Sequence, residues 1–209
     1  MSDAPPKRRT QQERKAESER AIILAAMNLF ARQGYMRTTL NEIGKAAGYT
    51  GGLVSHRFGS KEGLLQAVLK HIRTRFLDDQ LGSAITMDSA EESLRNYIEI
   101  YISEVTVREG RVRALYVIMG EALGAVPEIR KDIAELNEHT RNHLAGIIQR
   151  GMASSEFRND ANPDTSALLL MGTLRGVVLQ YLADPQAVNV KAVIKSIQDG
   201  AVDRLKSLL

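Results

Sequence analysis

Thr38-Thr39-Leu40-Asn41-Glu42-Ile43-Gly44-Lys45-Ala46-Ala47-Gly48-Tyr49-Thr50-Gly51-Gly52-Leu53-Val54-Ser55-His56-Arg57-Phe58-Gly59-Ser60-Lys61-Glu62-Gly63-Leu64-Leu65 holds the densest run of helix starts and stops in this 209-residue chain. Thr39 and Glu42 have the Thr-x-x-Glu spacing of a capping box, in which hydroxyl and carboxylate each satisfy an amide that the first turn of a helix leaves unpaired. A short helix therefore begins just after Thr39, with Leu40, Ile43, Ala46 and Ala47 at helical spacing toward a core. Gly48 follows where the backbone must turn left-handed to leave the helix. Thr50 is placed to cap a second helix over Gly51 to Arg57. Gly51 and Gly52 each weaken that helix by about 1 kcal/mol relative to alanine, and close approach of the backbone to a phosphodiester chain is one reason to keep them. Two short helices about a glycine turn form a helix-turn-helix, whose second helix enters the major groove of DNA. The competing reading is an ordinary helical hairpin, because capping boxes and glycine turns are common.

So short a pair folds only against a support. Residues 12 to 33 supply one, with Ile22, Ile23, Ala26, Met27, Phe30 and Ala31 on one face and Gly34 closing the helix. Ahead of it lies a basic arm, Lys7-Arg8-Arg9. Residues 1 to 75 carry 14 Lys and Arg against 6 Asp and Glu, a net charge of +8, whereas residues 76 to 209 carry −5. Positive charge confined to the segment that holds the helix-turn-helix is the electrostatic footprint of phosphate binding, and it favours nucleic acid over the hairpin reading.

Gly34-Tyr35, Thr38-Thr39, Ile43, Ala47-Gly48, Gly52, Phe58 and Ser60-Lys61-Glu62 before Leu64-Leu65 resemble the TetR family of bacterial transcriptional regulators. The resemblance covers roughly residues 18 to 66 and is looser beyond them, apart from Glu156-Phe157-Arg158 ahead of Asn162-Pro163. It implies an all-α protein: a DNA-binding domain at residues 1–60 and a helical ligand-binding and dimerisation domain at 61–209. It also implies a homodimer with one recognition helix per subunit, usually a repressor that leaves its operator when a small molecule binds. Ser55 and Arg57 stand where the family has tyrosine and histidine, so a tyrosine-to-phosphate contact is not carried over.

The residues expected at DNA are Arg9, Thr38, Thr39, Tyr49, Thr50, Gly51, Gly52, Leu53, Ser55, His56, Arg57 and Lys61. Arg57, near the helix end, suits a phosphate better than a guanine edge, whereas Thr50, Gly51, Leu53 and Ser55 lie toward the end that meets bases. Leu53 either touches a thymine methyl or packs, and Tyr49 either packs or grips a phosphate. Thr39 and Lys61 begin helices and suit phosphate positioning. Gly48 and Phe58 are structural.

The remaining apolar pattern is helical nearly everywhere, with no strand-like alternation. A helix from Lys61 to about Asp79, lined by Leu65, Leu69, Ile72 and Phe76, joins the two domains as a lever. A Gly, Ser and Thr break at residues 82 to 86 precedes Asp88, a cap for the next helix. Gly110 and Arg111 mark a short break. Pro127 opens a long helix, and Asn162 and Pro163 begin one that is apolar nearly all round. A greasy soluble helix must be buried on every side. Leu168, Met171, Gly172, Gly176 and Leu179, with Val193, Ile197, Ala201 and Leu205 of the last helix, are therefore expected at a two-fold dimer interface built as a four-helix bundle.

Tyr97, Tyr101, Tyr116, Met119 and Met171 offer polar tips within an apolar lining and are expected at a ligand cavity, although each alone reads as plain core. Arg175 interrupts the greasiest helix and needs a partner or an anionic ligand, with Glu121 as the internal mate. Glu135, His139 and His143 share a helix face, which reads as solvated rather than as a metal site. No metal and no cofactor is expected, and with no cysteine there is neither a thiolate site nor a disulfide. No Gly-x-Ser-x-Gly elbow, phosphate-binding loop or His-Glu-x-x-His is present, so an enzyme is not expected. The longest greasy segment, Ala167 to Leu182, is cut by Arg175 and reads as too short for a membrane span, which leaves a cytoplasmic protein. The partners expected are pseudo-palindromic duplex DNA, an unidentified effector and a second copy of the chain. Two rivals are a constitutive DNA-binding dimer with a filled core, and a helical enzyme or adaptor that contains a helix-turn-helix.

Overall fold

The computed structural model describes residues 10–75, 81 and 87–206, which are helical throughout apart from turns. Thr10 and Glu13 exchange side-chain and backbone hydrogen bonds in a capping box that starts α1 (Gln11–Gln33), and Gly34 ends it at φ +84°. The expected box at Thr39 and Glu42 opens α2 (Leu40–Ala46), and Gly48 turns the chain at φ +79°. Thr50 accepts the Leu53 amide to begin α3 (Gly51–Phe58), and Ser60 accepts the Gly63 amide to begin α4 (Lys61–Ile72). The continuation of α4 to Asp79 with Phe76, the break at 82–86 and the basic residue Arg9 lie outside the described residues.

The next helix, α5 (Ala90–Val107), is capped by Ser89 and not by Asp88. The reason lies 67 residues away along the chain. The Glu156 carboxylate accepts the Ser89 hydroxyl at 2.6 Å and the Ala90 and Glu91 amides at 3.1 Å each, so it occupies the positive end of α5. Arg108 alone separates α5 from α6 (Glu109–Leu123). Pro127 opens a single 3-10 turn to Ile129, and α7 (Arg130–Ala153) starts only after it. Asn162 caps α8 (Pro163–Ala183) as expected, and α9 (Val190–Lys206) is the last described helix.

Hydrogen bonds from the Ser89 hydroxyl first, then the Ala90 and Glu91 amides and the Ser154 hydroxyl, lower the Glu156 pKa from 4.5 to about 2. A carboxyl whose folded pKa is depressed contributes stability above its unfolded pKa and loses it as pH falls through the folded value. Glu156→Gln should therefore lower Tm at neutral pH, and the gap to the parent should close between about pH 4.5 and 2. Thermal melts across that range check this; a gap of constant size would overturn it.

A continuous buried cluster runs from Ile43 and Val54 in the helix-turn-helix to Leu174 and Val178 in α8. α1 lies along α6, α4 touches α1, α3 and α7, and α8 packs against α5, α6 and α7. Contrary to the sequence expectation, α8, at 21 residues and a mean hydropathy of 1.4, is long and apolar enough to cross a membrane. The helix extends beyond the greasy segment at both ends, which makes it longer than the run of apolar residues suggests. Its Ala167, Leu170, Met171, Leu174, Val178 and Leu182 face the chain's own core, while Leu168, Leu169 and Leu179 stand more than half exposed.

Candidate nucleic-acid interface and effector cavity

α3 is held by one fully buried side chain, Val54, with Leu53, Arg57 and Phe58 half-buried beside it. Its outer face presents Gly52, Ser55 and His56 to solvent, and the caps Thr39 and Thr50 are exposed as well. Tyr49 is half-buried and packs against the core. The Arg57 Nε is enclosed and has no hydrogen-bond partner among the described residues.

Three expectations change. Thr38 is fully buried and its hydroxyl donates to the Gly34 carbonyl at 2.6 Å, so its side chain faces inward, away from the exposed face of α3. Packing alone already demands the missing side chain of Gly51, because a Cβ there would run into Asn41 of α2. Gly52, by contrast, opens outward with only its own cap nearby. The Lys61 ammonium donates to the carbonyls of Tyr35, Met36 and Thr38 at 3.0–3.1 Å and lies over the Tyr35 ring, 4.5 Å from its centroid. All three of its protons are thereby engaged, which makes Lys61 a buckle on the turn after α1.

The same turn is held from the other side by Glu121. Its carboxylate accepts the Tyr35 amide at 2.8 Å and the Met36 amide at 3.4 Å. Glu121 is therefore not the mate of Arg175. It sits near the end of α6 and ties that helix to the DNA-binding helices. Nothing local to either residue signals this contact, which spans 86 residues of chain.

A cavity of about 430 Å³ opens between α1, α4, α5, α6 and α8. Of the ligand-binding residues expected from sequence, Tyr101 and Tyr116 line it. Tyr97 stacks on Tyr101 at 6.4 Å but is itself fully buried, with no partner for its hydroxyl among the described residues. Burial raises the pKa of Tyr97 and of Tyr116, while the Arg175 charge opposes it in both. The Tyr116 hydroxyl donates to the Arg175 carbonyl at 3.3 Å. Met119 is half-buried against the core and Met171 is buried within it; neither these two nor Arg175 lines the cavity. The cavity's apolar wall is instead Leu24, Met27, Ile72, Leu115 and Val178, and its rim is basic: Arg20, His71, Arg75, Arg108 and Arg111. Nothing in the sequence signals the rim, since its members come from three separate segments.

Of the residues expected between subunits, Leu168, Gly172 and Leu179 are exposed, and a Cβ at Gly172 or Gly176 would meet nothing. Val193, Ile197 and Ala201 of α9 are half-buried. Met171 and Leu205 turn inward, so the subunit's own core already covers them. A shallow groove of about 230 Å³ runs between α8 and α9, lined in part by Leu169, Thr173, Ile197 and Ala201. Among the described residues no group of three or more His, Cys, Asp or Glu is placed to hold a metal ion. The rings of His139 and His143 lie 4.5 Å apart.

Residues 22–68 match the family described as bacterial regulatory proteins, tetR family, and residues 87–181 match the tetracyclin repressor-like C-terminal domain. The chain is 26% identical over 193 residues to the HTH-type transcriptional repressor KstR2 of Rhodococcus jostii, covering 87% of this chain and 88% of that one. It is 25% identical to the HTH-type transcriptional regulator AcrR of Shigella flexneri, over 88% of this chain and 86% of the relative. The fatty acid degradation regulator FadR of Bacillus halodurans shares the fold with a TM-score of 0.81 at 20% identity, over 97% of this chain and 100% of that one.

Proposed function

The chain belongs to the TetR family of bacterial regulatory proteins, and from that premise we propose that it is a homodimeric repressor of transcription that a small molecule releases from its operator. The observation that carries this reading is α3, a helix anchored at Val54 whose Gly52, Ser55 and His56 face outward beside two exposed helix caps. Thr39 and Thr50 position phosphates, and the outer face of α3 meets base edges. The half-exposed leucines of α8 pair with those of a second copy. A two-fold axis then sets two recognition helices about 34 Å apart, in successive major grooves of a pseudo-palindrome. Such a protein works in the cytoplasm, where the chromosome is.

The effector occupies the cavity beside Tyr101 and Tyr116. Its walls include α1 and α4 on the DNA-binding side and α5, α6 and α8 on the other, so a ligand that fits only one arrangement of these helices shifts their balance. The sequence reading makes α4 the lever. The Glu121 contact adds α6 as a second, since one helix lines the cavity and also holds the turn ahead of α2.

A gel shift on the DNA upstream of the chain's own coding region tests the reading. A salt-sensitive complex is expected, weakening linearly in log affinity against log salt as phosphate contacts are screened. No complex at low salt would favour the enzyme or adaptor reading.

A further inference from the structure

The cavity rim gathers positive charge from both halves of the molecule. Arg20 stands on α1, His71 on α4 with Arg75 just beyond, and Arg111 in the first turn of α6. Arg108 is there too, but it pairs with Glu104 at 2.7 Å. Neither Arg20 nor Arg111 forms an ion pair with a described residue. With Arg108 matched by Glu104, Arg20 and Arg111 leave a positive field at the mouth. His71 registers that field: its pKa is lowered first by burial, then by Arg111, Arg75 and Arg20. Below the rim the wall is apolar, formed by Leu24, Met27, Ile72, Leu115 and Val178, with two tyrosines at one side.

A neutral apolar ligand would strip water from these guanidiniums without replacing it, and a cation would be repelled. We propose that the effector is an amphipathic anion: an apolar chain against the inner wall, ending in a phosphate or carboxylate held between Arg20 and Arg111. Because Arg20 belongs to the DNA-binding side and Arg111 to the other, one anionic head ties the two halves together. That couples occupancy of the cavity to the placing of α3. Guanidinium groups suit this task, since each offers a planar fork to an oxyanion.

The proposal rests on the cavity being the effector site. Isothermal titration of the full-length chain with dodecyl phosphate, dodecanoate, dodecanol and dodecyltrimethylammonium tests it, all below their micellar concentrations. At least one of the two anions is expected to bind roughly tenfold or more tightly than dodecanol, and which one does so identifies the head group. Arg20→Gln with Arg111→Gln should erase that preference and leave dodecanol unaffected, while Arg32→Gln, at an exposed site outside the cavity, changes nothing. Equal binding of dodecanol or of the cation, a preference that survives the double substitution, or no binding of any probe would overturn the ligand class. A gel shift on the same preparations keeps the failures apart. An operator complex with no anion preference removes the ligand class and leaves the regulator, whereas anion binding without an operator complex does the reverse.

Discussion

Gly44→Ala is expected to weaken operator binding by roughly 30-fold or more while the helical body stays folded. Gly44 lies buried inside α2, where the backbone at the start of α3 crosses it. A Cβ there would stand 2.7 Å from the Thr50 carbonyl carbon, 2.8 Å from the Gly51 nitrogen and 2.9 Å from the Thr50 oxygen. Alanine improves helix propensity by about 1 kcal/mol, but the clash is with backbone and no side chain can swing aside. Ordinary contact begins near 3.4 Å, so α3 must retreat by about 0.7 Å at its N-terminal end, where it would meet base edges. Giving up base recognition there costs about 1–3 kcal/mol per half-site, or roughly 30- to 25,000-fold over two half-sites. Gel shift gives the affinity, and far-ultraviolet circular dichroism shows whether helix content is kept. Parental affinity in the variant would sink the account of how α3 is seated.

Leu168→Glu combined with Leu179→Glu should give a folded monomer that scarcely holds its operator. Both leucines are more than half exposed within one chain, so charge at these positions costs the subunit little. Across a two-fold axis the same charges would be buried against their own copies, unpaired and repelling. Gly172 and Gly176 between them leave room for a partner helix to approach closely. Without the dimer, two linked half-site contacts become one, which lowers affinity by about 10²–10⁴. Sedimentation and gel shift measure the two effects, and a variant that remains dimeric at micromolar concentration would place the interface elsewhere.

The helix-turn-helix was legible because its signals are local. The Thr39–Glu42 capping box, Gly34, Gly48 and Thr50 each act within a few residues of where they stand, and α2 and α3 begin and end within about a residue of the places they mark, as does the end of α1. What could not be read depends on distant chain. Ser89 and Asp88 are adjacent residues, both able to cap, and the choice is made by Glu156. Lys61 sits at a helix start, as a phosphate ligand would, yet three carbonyls some 25 residues earlier take its protons. Thr38 has the polarity of a contact residue and is buried by its neighbours. Two of the expected cavity tyrosines follow from helical spacing, but the basic rim needs α1, α4 and α6 brought together before its charges add. The apolar stripes of α8 and α9 were visible, though not which residues each side would claim; Met171 of α8 and Leu205 of α9 went to the interior.

Both holds on the turn after α1 address mostly main chain: Glu121 accepts from the amides of Tyr35 and Met36, and Lys61 donates to carbonyls, with the Tyr35 ring under its ammonium. Beyond that ring neither discriminates among side chains, and the fitting they ask of the turn is a residue lacking a Cβ at Gly34, which would otherwise press on the Glu121 carboxylate. Reading heads with other operator tastes can thus be grafted onto this body as chimeras so long as that glycine, the tyrosine and the lysine travel with them. Lineages descended from such a chain are free to retarget genes while inheriting the same chemical sense.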